Sequence, residues 1–129
     1  MKSKESYAVA VRREFVARHY LIGGDWGAEN ELHEHNYLLE FRLEGTQLDR
    51  HGYLIDIDVV TAALEAQVDR YRGQTLNSLP EFAGLNPSLE HLARIMGESL
   101  AATIDIRLQV LTVRIWENKF AWAEYRKEV

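Results

Sequence analysis

The stretch Leu32-His33-Glu34-His35-Asn36-Tyr37 puts two imidazoles two residues apart in a segment that alternates like a β-strand. Side chains two apart share a strand face. His33, His35, Tyr37, Leu39, Phe41 and Leu43 therefore form one row. Glu34, Asn36, Glu40, Arg42 and Glu44 make the wetter opposite face, with Leu32 and Leu38 its only apolar members. Two histidines heading an apolar row suit either polar residues at a strand end or two ligands of one divalent metal. A lone His-x-His satisfies no zinc spacing rule. A third histidine, His19, closes the row Tyr7, Val9, Val11, Phe15, Ala17 and His19 of an earlier strand-like run, with Leu21 beyond it and Arg13 the exception. Taken singly, His19 suits a satisfied core histidine. If the two strands pair, three neutral imidazoles converge on one ion. Such a set leaves a fourth tetrahedral position for water or substrate, as in a catalytic rather than a structural zinc site.

The elements that must position these residues follow from the pattern of the chain. With 129 residues it is long enough for one core and too short for two, so one domain over residues 1–129 is expected. Apolar and charged contents of 47% and 27% are those of a soluble globular protein. A net charge of -5 and the lack of any Lys/Arg run argue against a nucleic-acid surface. Cysteine is absent, which excludes disulfides, thiolate ligands and a thiol nucleophile. The start, Met1 to Ser6, has no apolar signal core and nowhere do eighteen apolar residues run together, so a cytoplasmic protein with no membrane partner is expected.

Tyr7 to Leu21 reads as a long strand, followed by the turn-prone Gly23-Gly24-Asp25-Trp26-Gly27. The His-x-His strand comes second. His51 falls in the turn Asp49-Arg50-His51-Gly52 and reads as a solvated loop residue. Asp58 is the expected cap of a first helix, with Val60, Leu64, Val68 and Tyr71 on its inner side and Gly73 ending it. Asn86-Pro87 is the expected cap and first turn of a second helix, whose stripe is Leu89, Leu92, Ala93, Met96 and Leu100. Alternation returns from Ile106 to Glu117, Asn118-Lys119 marks a tight turn, and Phe120 to Tyr125 is a last strand. Two strands, two helices and two strands predict an α+β layer pair in which both helices cover one sheet face.

Five stretches in this order resemble the landmarks of the 6-pyruvoyl-tetrahydropterin synthase and 6-carboxy-tetrahydropterin synthase family. They are Phe15-x3-His19, His33-x-His35-Asn36-Tyr37, Gly52-Tyr53-Leu54-Ile55-Asp56, Asn86-Pro87-Ser88-Leu89-Glu90 and Trp116-Glu117. The resemblance implies a tunnelling fold, a four-stranded antiparallel sheet with two helices on one face, assembled as a homo-oligomer (trimer or hexamer) whose sheets join into a barrel. It implies zinc on His19, His33 and His35. It implies a reduced pterin such as dihydroneopterin triphosphate as substrate of a carbon-oxygen lyase. Glu117 matches the pterin anchor, since a carboxylate can accept paired hydrogen bonds from a ring N–H and its amino group. A surface glutamate at a hairpin is its plain alternative. Glu90 matches the family's helix-start segment, as a substrate-binding residue or as a first-turn acid favoured by the helix dipole. In that family the site lies between subunits, which leaves open which chain's zinc Glu117 faces.

The departures are as informative. The family's general-base cysteine lies four residues before the first histidine of His-x-His, where this chain has Glu29. The place of its Leu-Asp-His motif holds Tyr71-Arg72-Gly73, and sliding the alignment onto Val68-Asp69-Arg70 restores the aspartate but not the histidine. A branch of the family uses a glutamate near the zinc and yields a hydroxymethyl pterin, so Glu29 or Glu31 is the expected base, with Arg70 or Arg72 near the phosphates. Otherwise Glu29 and Glu31 are solvated loop acids. The protein would then bind a pterin- or purine-like ligand, or a partner, without reacting.

Overall fold

The computed structural model describes residues 5–104 and 108–129. Met1 to Lys4 of the amino-terminal stretch, and Ile106, where the third strand was expected to begin, lie outside the described residues. The elements are β1 (Tyr7–His19), β2 (His33–Gly45), α1 (Ile57–Tyr71), α2 (Leu89–Ala101), β3 (Val110–Trp116) and β4 (Trp122–Glu128), with short 3-10 turns at Gly27–Asn30, Leu76–Ser78 and Pro80–Phe82. One antiparallel sheet runs β1-β2-β3-β4, so sequence neighbours are also neighbours in space.

Alternation in sequence becomes alternation in burial. Phe15, Ala17 and His19 on β1, Tyr37, Leu39, Phe41 and Leu43 on β2, and Leu111, Val113 and Ile115 on β3 all point into the core. Val60, Leu64, Val68 and Tyr71 of α1 and Leu92, Ala93, Met96 and Leu100 of α2 close it from one side, α1 over β1 and α2 over β3 and β4. Gly97 permits the second contact: a Cβ there would lie 2.5 Å from the Tyr125 ring. On the opposite face side chains cover each other. The Arg114 guanidinium lies 3.9 Å over the Trp122 ring and Arg12 lies 5.0 Å over Trp116. Arg12 also pairs at 2.8 Å with the buried Glu40 carboxylate.

Both helix starts differ from expectation. Asp56, not Asp58, caps α1, accepting from the Asp58 N–H at 2.9 Å. Asp58 is already helical and sits where the dipole favours an acid. Ser88, not Asn86, caps α2, accepting from the His91 N–H at 3.1 Å. Asn86 is diverted by the tertiary fold: its side-chain oxygen accepts from the Ile22 N–H at 2.8 Å. Gly73 does follow α1, at φ +71°, the left-handed region that glycine enters without steric cost. Its N–H donates to the Val16 carbonyl at 2.7 Å, and Arg18 donates to Gln74 at 2.8 Å, so the chain after α1 lies along the outer edge of β1 near His19. Among the described residues no helix is long and apolar enough to cross a membrane.

Candidate metal centre

Three adjacent strands end their core-facing rows at the same end of the sheet, and each row ends in a polar residue. His19 lies directly opposite His33, and His35 opposite Ala17. Leu38 opposite Trp116 is the last β2–β3 pair, so Glu117 stands one step beyond it, level with Tyr37 and on the face of Leu111, Val113 and Ile115. The register therefore gathers what the sequence separates.

The three imidazoles meet edge to face, with ring centroids 4.5 Å apart for His19–His33, 5.0 Å for His19–His35 and 4.8 Å for His33–His35. One ring nitrogen from each lies within 4.8 Å of the others. Two tautomers follow from backbone contacts. His19 Nδ1 is 2.9 Å from the Pro87 carbonyl and His33 Nδ1 is 2.8 Å from the Glu31 carbonyl. A carbonyl only accepts, so each Nδ1 carries the proton and each Nε2 keeps its lone pair for a ligand. Burial lowers the pKa of His19, with His33 and His35 lowering it further against the opposing pull of the Pro87 carbonyl and Glu117. Burial also lowers that of His35, against the opposing charge of Glu117. Neutral imidazoles, two of them with the tautomer set by a backbone carbonyl, could hold a metal ion, and their donor chemistry suits a divalent ion such as zinc. The His33 and His35 Nε2 atoms are 3.0 Å apart. Ligands held at zinc–nitrogen bond lengths on a tetrahedron stand about 3.3 Å apart.

Glu117 joins this cluster within the same chain: its carboxylate oxygen is 3.2 Å from His35 Nε2. The backbone beneath it is held by a hydrogen bond from its N–H to the Ala121 carbonyl, and Asn118 closes the hairpin by accepting from the Phe120 and Ala121 N–H groups. Burial, and then the Glu117 charge, raise the Tyr37 hydroxyl well above its ordinary pKa.

The other expected site residues separate. Glu29 lies in the 3-10 turn Gly27–Asn30, exposed, and its charge acts on His35. Glu31 is exposed, and what it brings to the histidines is its backbone carbonyl. Glu90 is exposed in the first turn of α2, where the dipole alone explains an acid. His51 is exposed in its turn, hydrogen-bonded to Arg50. Arg70 forks onto Glu81 at 2.9 and 2.6 Å and Arg72 pairs with Asp69 at 3.2 Å. The Arg70 fork holds the Glu81 carboxyl down at about 2, and Tyr71 donates to the same carboxylate at 2.9 Å. Tyr71-Arg72-Gly73 thus supplies packing and edge contacts. An open cleft of about 710 Å³ lies at the other end of β1, between Tyr7–Val9 and the 48–58 loop, away from the histidines.

Sequence reasoning missed the supports of the triad. The Asn86 carbonyl accepts from His91 Nδ1 at 2.7 Å while the next carbonyl, Pro87, orients His19. Backbone acceptors leave no signature in residue type, and His91 lies 72 positions from His19, whose carbonyl partner belongs to the same turn.

Comparisons with known proteins bear on this geometry. The family model for 6-pyruvoyl tetrahydropterin synthase matches residues 8–128. The 6-pyruvoyl tetrahydropterin synthase of Caenorhabditis elegans superposes with a TM-score of 0.82 at 21% identity, covering 99% of this chain and 100% of that one. The Plasmodium vivax enzyme of the same name superposes with a TM-score of 0.80 at 15% identity, covering 98% of this chain and 100% of that one. A variant of the vivax protein, with the same score and coverage, replaces by alanine a glutamate described as a catalytic residue. At these identities the likeness to solved structures is one of fold. No curated protein matches this chain significantly.

Proposed function

The chain belongs to the 6-pyruvoyl tetrahydropterin synthase family, and from that premise we propose that it is a cytoplasmic, zinc-binding lyase acting on a reduced pterin, dihydroneopterin triphosphate or a close relative. The convergence of His19, His33 and His35, two of them with their tautomers set by backbone carbonyls, carries this reading. Zinc held by three neutral imidazoles keeps its full charge and supplies polarisation of a side-chain oxygen, which acidifies the adjacent C–H.

The chain's own groups divide the remaining work. Glu117, at the rim of the triad, accepts the ring N–H and amino group of the pterin on its two oxygens. A carboxylate near the histidines takes the proton from the side-chain carbon. We assign this to Glu29 rather than Glu31 on the family resemblance, in which Glu29 stands four residues before His33 at the place of the family's general base. The glutamate described as catalytic in the vivax protein supports a carboxylate base. Glu90 is an exposed first-turn acid of α2, so a substrate role for it rests on the family resemblance alone.

A second reading is a pterin- or purine-like ligand binder that has lost the reaction. It is favoured by the stretch Tyr71-Arg72-Gly73, whose side chains and backbone are engaged elsewhere, where the family carries its Asp-His pair. For the assembly, β1 has its outer edge covered from Val16 onward, no other described strand pairs with Tyr7 to Phe15 on that side, and β4 is the other edge among the described residues. We propose that subunits join through these edges as a trimer or hexamer, which removes both exposed ladders. Light scattering of the purified protein tests the assembly. Incubating zinc-loaded protein with dihydroneopterin triphosphate and identifying the products by mass spectrometry tests the reaction. A pyruvoyl, carboxy or hydroxymethyl pterin is expected, and unchanged substrate with retained pterin binding would favour the second reading.

A further inference from the structure

Accepting a pterin ring does not account for where the Glu117 carboxylate lies, which is against the ligating nitrogen of His35 at 3.2 Å rather than open to the site. That spacing and the 3.0 Å between His33 and His35 Nε2 are both close to the edge of a zinc tetrahedron, about 3.3 Å. Glu117 stands at the end of the third core-facing row, beside the β2 row that ends in His35 and then His33, itself paired with the β1 row that ends in His19. Its backbone is pinned by the Ala121 carbonyl and the Asn118-closed hairpin, so turning the carboxylate further toward the triad uses only its own side-chain torsions. With 27% of the side chain exposed, it has room to turn. Its charge also acts on His19 and Tyr37, which places it near the cluster as well as beside His35.

We propose that Glu117 is an exchangeable fourth metal ligand: without pterin its carboxylate closes the position left by the three histidines, and the pterin ring draws it away. This rests on the zinc and pterin reading above and adds a coupling to it. A carboxylate that turns both oxygens toward a ring N–H and its neighbouring amino group is turned away from the metal, so the two engagements compete for one orientation of the Glu117 side chain. Ring binding opens the metal's fourth position, and by linkage the metal weakens ring binding by the same factor. The metal would then be shielded from solvent and stray ligands until a ring with the correct edge arrives.

The test uses unsubstituted pterin, which has the ring edge but no side-chain oxygen to reach the metal. Its affinity is measured by fluorescence on metal-free and zinc-loaded protein, and the visible spectrum of cobalt(II)-loaded protein is recorded with and without pterin. The expected results are binding at least about fivefold weaker to the zinc-loaded form and a cobalt spectrum that shifts on adding pterin. The resting spectrum of Glu117→Gln should differ from that of the wild type. Its zinc affinity should be about tenfold lower. Stoichiometric metal with identical cobalt spectra in wild type and Glu117→Gln, and equal pterin affinity for both forms, overturns the inference and leaves the zinc site standing. Wild-type protein that takes up no metal overturns both.

Discussion

Replacing Asn86 by alanine separates the support of the metal centre from the stability of the fold. The Asn86 side chain makes one long-range hydrogen bond, to the Ile22 N–H at 2.8 Å. Losing it costs about 1 kcal/mol of stability, the usual net value of one such bond. The effect on zinc should be larger than that figure suggests. Asn86 and Pro87 are consecutive, and the Pro87 carbonyl holds His19 in the tautomer that presents Nε2. Once the turn is free of Ile22, the bonds from His91 and from the Ser88 N–H to the Asn86 carbonyl still hold it, and the Pro87 carbonyl is less firmly fixed against His19. Outer supports of metal-bound histidines are typically worth ten- to a hundredfold in affinity, so at least about tenfold weaker zinc binding is expected. Asp56→Ala is the matched control: it removes the α1 cap, costs about 1 kcal/mol and touches no part of the triad. Urea titrations of metal-free protein give the two stabilities, and competition with a chromophoric chelator gives the two zinc affinities. Equal destabilisation with equal zinc affinity would refute the Asn86–Ile22 bond as the support that holds the Pro87 carbonyl against His19.

Three further outcomes are expected. Gly97→Ala brings a methyl within 2.5 Å of the Tyr125 ring and 3.4 Å of Val113, so overpacking of about 1–3 kcal/mol outweighs the gain in helix propensity of about 1 kcal/mol; a stabilised variant in urea would show that β4 yields freely. Metal-free protein should lose stability as pH falls through and below 6.5, because the folded pKa values of His19 and His35 lie below the ordinary one and the unfolded chain takes up protons first. A further loss is expected between 4.5 and about 2 from Glu81, whose carboxyl is depressed, and urea midpoints across this range would expose a wrong sign as a rise in either window. Glu29→Gln should reduce turnover at least about a hundredfold while Glu31→Gln, which leaves its carbonyl on His33, changes it little; the reverse order would move the base to Glu31.

Much of the scaffold is legible along the chain because its causes are local. The alternate rows of β1, β2 and β3 separate a core face from an outer one, since successive side chains of a strand point to opposite sides. Glu40 and Thr112 on the outer face are nonetheless buried, and Tyr7 and Arg13 in the inner row of β1 are exposed. The α1 stripe Val60, Leu64, Val68 and Tyr71 is buried as its spacing implies, and Gly73 takes the left-handed conformation that ends the helix. The caps were misplaced by two residues because several capping types stand together, Asp56 and Asp58 at one helix and Asn86 and Ser88 at the other. Local preference cannot choose between them once a distant group such as the Ile22 N–H claims one.

The sequence by itself determined the donor set: three histidines at the ends of apolar rows, no cysteine to compete with them, and acids rather than a thiol nearby. These are properties of residue type and of period two, and they hold before any strand is paired. Only the tertiary structure decided that His19 faces His33, that Glu117 lies against its own chain's His35, and that Pro87 and Glu31 present carbonyls to the imidazoles. Register is set by burying many side chains at once, and tautomers are set by backbone acceptors that any residue carries. Neither is written in the identity of the histidines and acids themselves.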